Sequence, residues 1–290
     1  MLFSTLQRRI EQRRIERKKR ENLRAASGLD ISSVRTICLA LGPYRSFTTV
    51  TASFIARHPE CQAINHGGKQ ILGDPLLDFL GRYRPATADR FVRYGLHVSL
   101  NGTHGKRPGG GPRPASHHEP RARPRAFLWN DPLRTSRHLR RHNVDMAALL
   151  ENEPRLRFLQ TIRNPIDCAY SIGRNGLAPR MGLERDAPME AILDGVLKEI
   201  SWFTALSQEH PGRFFSFFTD TFDPGKAQQL AGFLQVEPLE SWARRSRRCF
   251  DYPRTLAIGD RLRKHYNSSV ARRFEAFPEA REQLLALLDG

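Results

Sequence analysis

Four short apolar runs stand at wide intervals along the chain: VRTICLALG (34–42), RAFLW (125–129), RLRFLQTI (155–162) and RFFSFFT (213–219). Their near-continuous apolar character is that of strands buried on both faces, as in a parallel sheet. Between and around them, apolar positions recur at helical spacing over 47–57, 136–150, 166–174, 187–208 and 225–234. Strands alternating with helices predict an α/β fold with a central parallel sheet flanked by helices. Ligands of such sheets bind at the carboxyl ends of the strands, so the turns after 34–42 and 155–162 are where chemistry is expected.

Two stretches break the pattern. Residues 1–27 read as a basic helical extension whose Leu2, Leu6 and Ile10 form only a thin apolar stripe. Glu11, Glu16 and Glu21 can pair with neighbouring bases. Such a segment is expected to be a solvated arm, with peripheral contact to a membrane surface or a polyanion as the other reading. Residues 101–126, NGTHGKRPGGGPRPASHHEPRARPRA, are dominated by glycine, proline and arginine, with Glu119 as the one acid. That composition cannot build a packed core, so a flexible surface insertion is expected, with His117 and His118 solvated. Both stretches are expected to be dispensable for folding.

Composition adds a partner class. A chain of 290 residues with 39% apolar side chains can form one large α/β domain. The net charge of +17 favours polyanionic partners: a phosphorylated cofactor, an acidic or sulfated glycan, nucleic acid or a membrane surface. Specific nucleic-acid binding is not expected, because aromatics are not interleaved with the basic runs as stacking platforms. The four cysteines, Cys38, Cys61, Cys168 and Cys249, lack paired spacing, and Cys38 and Cys168 read as buried thiols. His138 and His142 have helical i, i+4 spacing but no third ligand nearby, so no metal site is expected. No run approaches the roughly 18 apolar residues of a membrane span, and no signal-peptide core opens the chain. A soluble, cytoplasmic protein is the expectation.

The stretch LALGPYRSFTTVTASFIARHP (39–59) runs strand, turn, helix. Such a turn aims backbone N–H groups at whatever lies above the helix N-terminus. Ser46, Thr48 and Thr49 add hydroxyls, and Arg45 adds a guanidinium fork suited to phosphate or sulfate. The lysine of a GxxxxGK[ST] loop is missing, which counts against a kinase or ATPase. RFLQTIRNPIDCAYSIGR (157–174) repeats the arrangement, with Arg163 at the strand end and Ser171 within reach of the same anionic group. Two anion-reading turns on one sheet call for a ligand with phosphates at both ends.

YRSFTT followed by HPE, and IRNPIDCAYS further on, resemble the two cofactor signatures of the PAPS-dependent sulfotransferases, in particular the tyrosylprotein, glycan-type and bacterial members. The likeness extends over about 30–240, since FSFFTDTFDPGKAQQLAGFLQV is similar to the family's later strand, acidic turn and helix. It implies a P-loop-NTPase-like α/β domain over 28–290 that binds 3′-phosphoadenylyl sulfate (PAPS) without a metal. It also implies Arg45, Ser46, Phe47, Thr48 and Thr49 at the 5′-phosphosulfate, and Arg163 and Ser171 at the 3′-phosphate. Two positions depart from the family. Phe47 stands where glycine is usual, and is expected to keep the backbone farther from the sulfate. Asn130, in WNDPLRTS, stands where tyrosylprotein- and glycan-type members carry lysine, with Arg134 as the candidate replacement.

Sulfuryl transfer needs alignment, stabilisation of charge on the bridging oxygen, and removal of the acceptor proton. Arg45 is the candidate for charge. His66, in the position where tyrosylprotein sulfotransferases carry a glutamate, is the candidate base, and Asp131 is the second. The acceptor is a hydroxyl or amine compound; the basic insertion and RRSRR (244–248) would suit an acidic glycan. Lys264, His265 and Tyr266 are read as part of a segment closing over the nucleotide. A protein of the same fold that binds PAP(S) or a polyanion without turnover is the alternative, and Phe47 and Asn130 are its support.

Overall fold

The computed structural model describes residues 2–101, 113–114, 123–250 and 259–288. In chain order the elements are α1 (Leu2–Ala26), β1 (Thr36–Ala40), α2 (Thr48–Ile55), β2 (Cys61–Asn65), α3 (Gly68–Ile71), α4 (Pro85–Asn101), β3 (Arg113–Pro114), β4 (Ala126–Asn130), α5 (Pro132–Arg141), α6 (Met146–Asn152), β5 (Leu156–Ile162), α7 (Pro165–Arg174), α8 (Met189–Glu209), β6 (Phe214–Phe218), α9 (Pro224–Phe233), α10 (Glu240–Ala243), α11 (Asp260–Arg273) and α12 (Pro278–Ala286).

Among the described residues one sheet forms, in the order β3-β2-β4-β1-β5-β6. Five strands run parallel, and only β3 is antiparallel, through Ile64–Pro114 and Asn65–Arg113. This is the expected α/β layout, a central parallel sheet flanked by helices. From β1 the chain winds to β2 on one side and later to β5 and β6 on the other. The crevice at the carboxyl end of β1 therefore lies at the reversal point, where parallel sheets bind ligands.

Strand residues alternate between two apolar layers. Ile37, Leu39, Phe127, Trp129 and Phe158 face α4, α6 and α8; Cys38, Leu128 and Leu159 face α2, α9 and α10. Helix α4 lies so close to β4 that a Cβ on Gly95 would sit 2.1 Å from the Phe127 ring. A third cluster joins α7, α8, α11 and α12. Proline at the first positions of α5, α7 and α9 costs no hydrogen bond there, and Asn164 and Asp223 cap the latter two.

The predicted helix 136–150 is two helices. Asn143 at φ 45° closes α5, and the Asp145 side chain caps α6 by accepting from the Ala148 N–H at 3.0 Å. Strand β2 was not anticipated because Gln62 and Asn65 interrupt its apolar run, yet both are buried. Tyr266 does not close over a nucleotide: it is fully buried in the third cluster, and its hydroxyl donates to the Leu284 carbonyl at 2.7 Å. The neighbouring His265 faces Asp194 at 3.3 Å.

The basic N-terminal segment is helical, but its second half is not a free arm. The Lys19 side chain is 10% exposed and pairs with Asp74 at 2.6 Å and Glu16 at 2.8 Å. Burial alone would lower the Lys19 pKa, but the two carboxylates raise it. Ala26 is buried, and Leu23 packs on the main core. Most of the 101–126 insertion, including His117 and His118, lies outside the described residues. Cys38, Cys61 and Cys168 are buried free thiols, and burial pushes the Cys168 thiol up to about 12. No described helix is long and apolar enough to cross a membrane.

Candidate active site

Three strand ends converge above β1. The first turn leaves β1 through Gly42, at φ 114°, where a Cβ would lie 2.8 Å from Gln160 Nε2. The Gly42 N–H donates to Ser136 Oγ at 3.0 Å, tying the turn to α5. Arg45 and Phe47 then adopt φ 69° and 57°, in the left-handed region that favours glycine. Holding a non-glycine residue there costs about 1 kcal/mol or more, and such strain collects at binding sites. Phe47 caps α2 without any side-chain hydrogen bond, so its side chain offers no acceptor to the first-turn N–H groups beside Thr48 and Thr49.

The second turn, between β5 and α7, is held by the Asn164 side chain, which accepts from the Ile166 and Asp167 N–H groups. Arg163 beside it faces Asp167 at 3.6 Å and lies over the Phe47 ring, 4.5 Å from its centroid. The link between the turns is Arg45: its Nε donates to Ser171 Oγ at 2.8 Å.

The third corner joins β2 to β4. Trp129 Nε1 donates to the His66 carbonyl at 2.8 Å, and the His66 N–H donates to the Asn130 carbonyl at 2.8 Å. His66 is itself at φ 63°, so three of the five non-glycine residues with positive φ among the described residues lie in this site. Asn130 Nδ2 donates to Asn65 Oδ1 at 2.6 Å, and both residues are buried. Asp131, 2% exposed, accepts from the Gly68 N–H at 2.8 Å and faces Arg134 at 3.5 Å. Burial raises the Asp131 pKa, against the opposing pull of Arg134, the Gly68 hydrogen bond, His66 and Arg180.

These corners enclose a cavity of about 680 Å³, within the range of small-molecule sites. Arg45, Phe47, Thr48, Thr49, His66, Asp131 and Arg163 all line it, as the sequence led one to expect. Ser46 does not: it is buried, and its hydroxyl donates to the Pro43 carbonyl at 3.1 Å. Ser171, 9% exposed, also stays off the wall and sits behind Arg45 as its partner. Sequence reasoning missed Tyr44, Lys69 and Arg180, which also line the cavity. Lys69 lies three positions after His66 in HGGK, close enough in the chain to have been found; Arg180 follows α7 and carries no local signal.

The chain matches no family model, and no curated protein matches it by sequence. Solved structures to which it is similar are sulfotransferases. One from Mycobacterium avium, STF9, aligns at 13% identity and TM-score 0.43, covering 88% of this chain and 78% of that one. One from Alicyclobacillus acidocaldarius aligns at 13% identity and TM-score 0.42, covering 82% and 94%. Mouse SULT7A1, complexed with PAP, aligns at 11% identity and TM-score 0.44, covering 91% and 92%.

Proposed function

We propose that this protein is a sulfotransferase that moves the sulfuryl group of PAPS to a hydroxyl or amine acceptor. The observation that carries the reading is the 2.8 Å bond from Arg45 to Ser171, which fastens two anion-reading turns to one cavity. The groups on those turns suit the cofactor. Guanidinium, hydroxyl and capless N–H groups are donors, as a phosphosulfate at one end and a 3′-phosphate at the other require.

When bound, PAPS supplies the sulfuryl group and a stable phosphate leaving group. Arg45, with Thr48 and Thr49, holds the 5′ end and stabilises charge on the bridging oxygen. Arg163, steadied by Asp167 and the Phe47 face, reads the 3′-phosphate. His66, half-buried on the cavity wall, takes the acceptor proton. Asp131 has one oxygen committed to Gly68 and Arg134. That engagement suits orientation of the His66 corner better than proton abstraction.

Calorimetric titration with PAP, PAPS and ATP tests binding, and release of PAP from PAPS over an acceptor panel tests transfer. His66→Ala is expected to lower turnover by about 10²–10⁴ while PAPS binding survives. Arg45→Ala should damage both. Tight PAPS binding without transfer to any acceptor would favour the non-catalytic binder, for which the neutral Asn130 is the motivating observation.

A further inference from the structure

The cavity holds more positive charge than the two cofactor turns use. Arg45 and Arg163 belong to those turns; Lys69, Arg134 and Arg180 come from α3, α5 and the turn after α7. Among the described residues Asp131 is the only carboxylate on the wall, and it faces Arg134 at 3.5 Å. Lys69, on the exposed side of α3, has no side-chain partner among the described residues. The Arg180 guanidinium carbon lies 5.7 Å from the Tyr44 ring centroid, with no carboxylate paired to it among the described residues. Even with Asp131 ionised, this side of the cavity keeps a surplus of two positive charges.

Asn130 adds an independent observation. Its Nδ2 is committed to Asn65, but its Oδ1, on a residue 2% exposed, has no donor among the described residues. A buried acceptor left unpaired costs about 1–3 kcal/mol. A ligand hydroxyl or amine hydrogen would satisfy it.

We propose that this side of the cavity is a subsite for acceptors that carry a carboxylate or sulfate close to the reacting hydroxyl. Lys69 and Arg180 bind the anion, and Asn130 Oδ1 accepts from a second, neighbouring hydroxyl of the acceptor, which leaves the reacting O–H for His66. The inference rests on the sulfotransferase reading. As the acceptor oxygen–sulfur bond forms, the bond from sulfur to the leaving phosphate breaks and the hydroxyl proton passes to His66. A neutral acceptor would leave the two cations without counter-charge, which is how such sites reject close analogues.

Three alkyl glycosides that differ at one position test the subsite: a glucoside, its glucuronide and its 6-sulfate. PAP binding to the wild type and to Lys69→Ala/Arg180→Ala is measured first and should agree within about threefold, as neither residue lies on a cofactor turn. PAP release should then favour a charged glycoside over the neutral one by about tenfold or more in kcat/KM. The double variant should lose that preference, and the better of the two charged arms identifies the anion. Asn130→Leu should lower kcat and keep the preference. Equal use of neutral and charged glycosides, or a preference undiminished in the double variant, overturns the subsite while leaving the transferase reading intact. If none is turned over, titration of the three into PAP-loaded protein decides, and equal or absent binding overturns it. Failure of PAP to bind the wild type overturns both readings.

Discussion

Phe47 is the position where backbone strain and ligand binding separate. Replacing it with glycine and, in parallel, with alanine removes the same half-buried ring, which is worth about 1–2 kcal/mol of apolar burial. Both also remove the ring face under Arg163, worth about 0.5–1 kcal/mol. Only glycine relieves the left-handed backbone at φ 57°, ψ 20°. That conformation costs about 1–2 kcal/mol for a residue with a Cβ, partly offset by the larger unfolded-state entropy of glycine. Phe47→Ala is therefore expected to lose about 2 kcal/mol and Phe47→Gly about 1, a gap of roughly 2–4 °C in Tm. Calorimetry with PAP gives the second readout. With the ring as the platform of Arg163, both variants bind PAP severalfold more weakly, and Phe47→Leu, which keeps bulk without a π face, falls between. Equal Tm for alanine and glycine would refute the strain. PAP binding tightened by glycine and not by alanine would refute the platform and restore the view that Phe47 crowds the backbone away from the anion.

Arg163→Ala should cost about 2 kcal/mol in PAP binding, roughly thirtyfold, and should narrow the difference between PAP and ATP, which lacks a 3′-phosphate. Equal PAP affinity in wild type and variant would sink the two-turn site. Removing residues 2–14 should leave Tm within about 2 °C, whereas removing 2–26 should lower it by about 5 °C or more, since it strips the Lys19–Asp74 pair and the Leu23 contact; identical scans would return the whole helix to the status of an arm. The raised Asp131 pKa sets a pH dependence. Folding favours the protonated carboxyl, so its stabilising contribution is present below the unfolded value of 3.8 and is lost as pH rises above it. Denaturant midpoints of Asp131→Asn should therefore gain on those of the wild type as pH rises from acid to neutral, and a gap that shrinks would contradict the burial effect.

Much of the fold was legible because its signals are local. Four of the six strands among the described residues are apolar runs, and the turns after β1 and β5 announce themselves through short motifs such as YRSFTT and IRNP. Strand β2 was not, since Gln62 and Asn65 look like surface residues until Asn130, 65 positions away from Asn65, accounts for the burial of the latter. The long amphipathic α4 was also missed, and the close approach of its Gly95 to Phe127 has no counterpart in nearby sequence. The amino acids determined which turns offer donors to an anion. The tertiary structure decided which donors face the cavity: Ser46 turns into its own loop, Ser171 becomes the partner of Arg45 across 126 residues, and Lys69 and Arg180 arrive from separate elements. The physical reason is range. Helix periodicity and turn chemistry act over a few residues, whereas burial, charge surplus and an unpaired carbonyl such as Asn130 Oδ1 exist only once the sheet has brought distant strand ends within hydrogen-bonding distance.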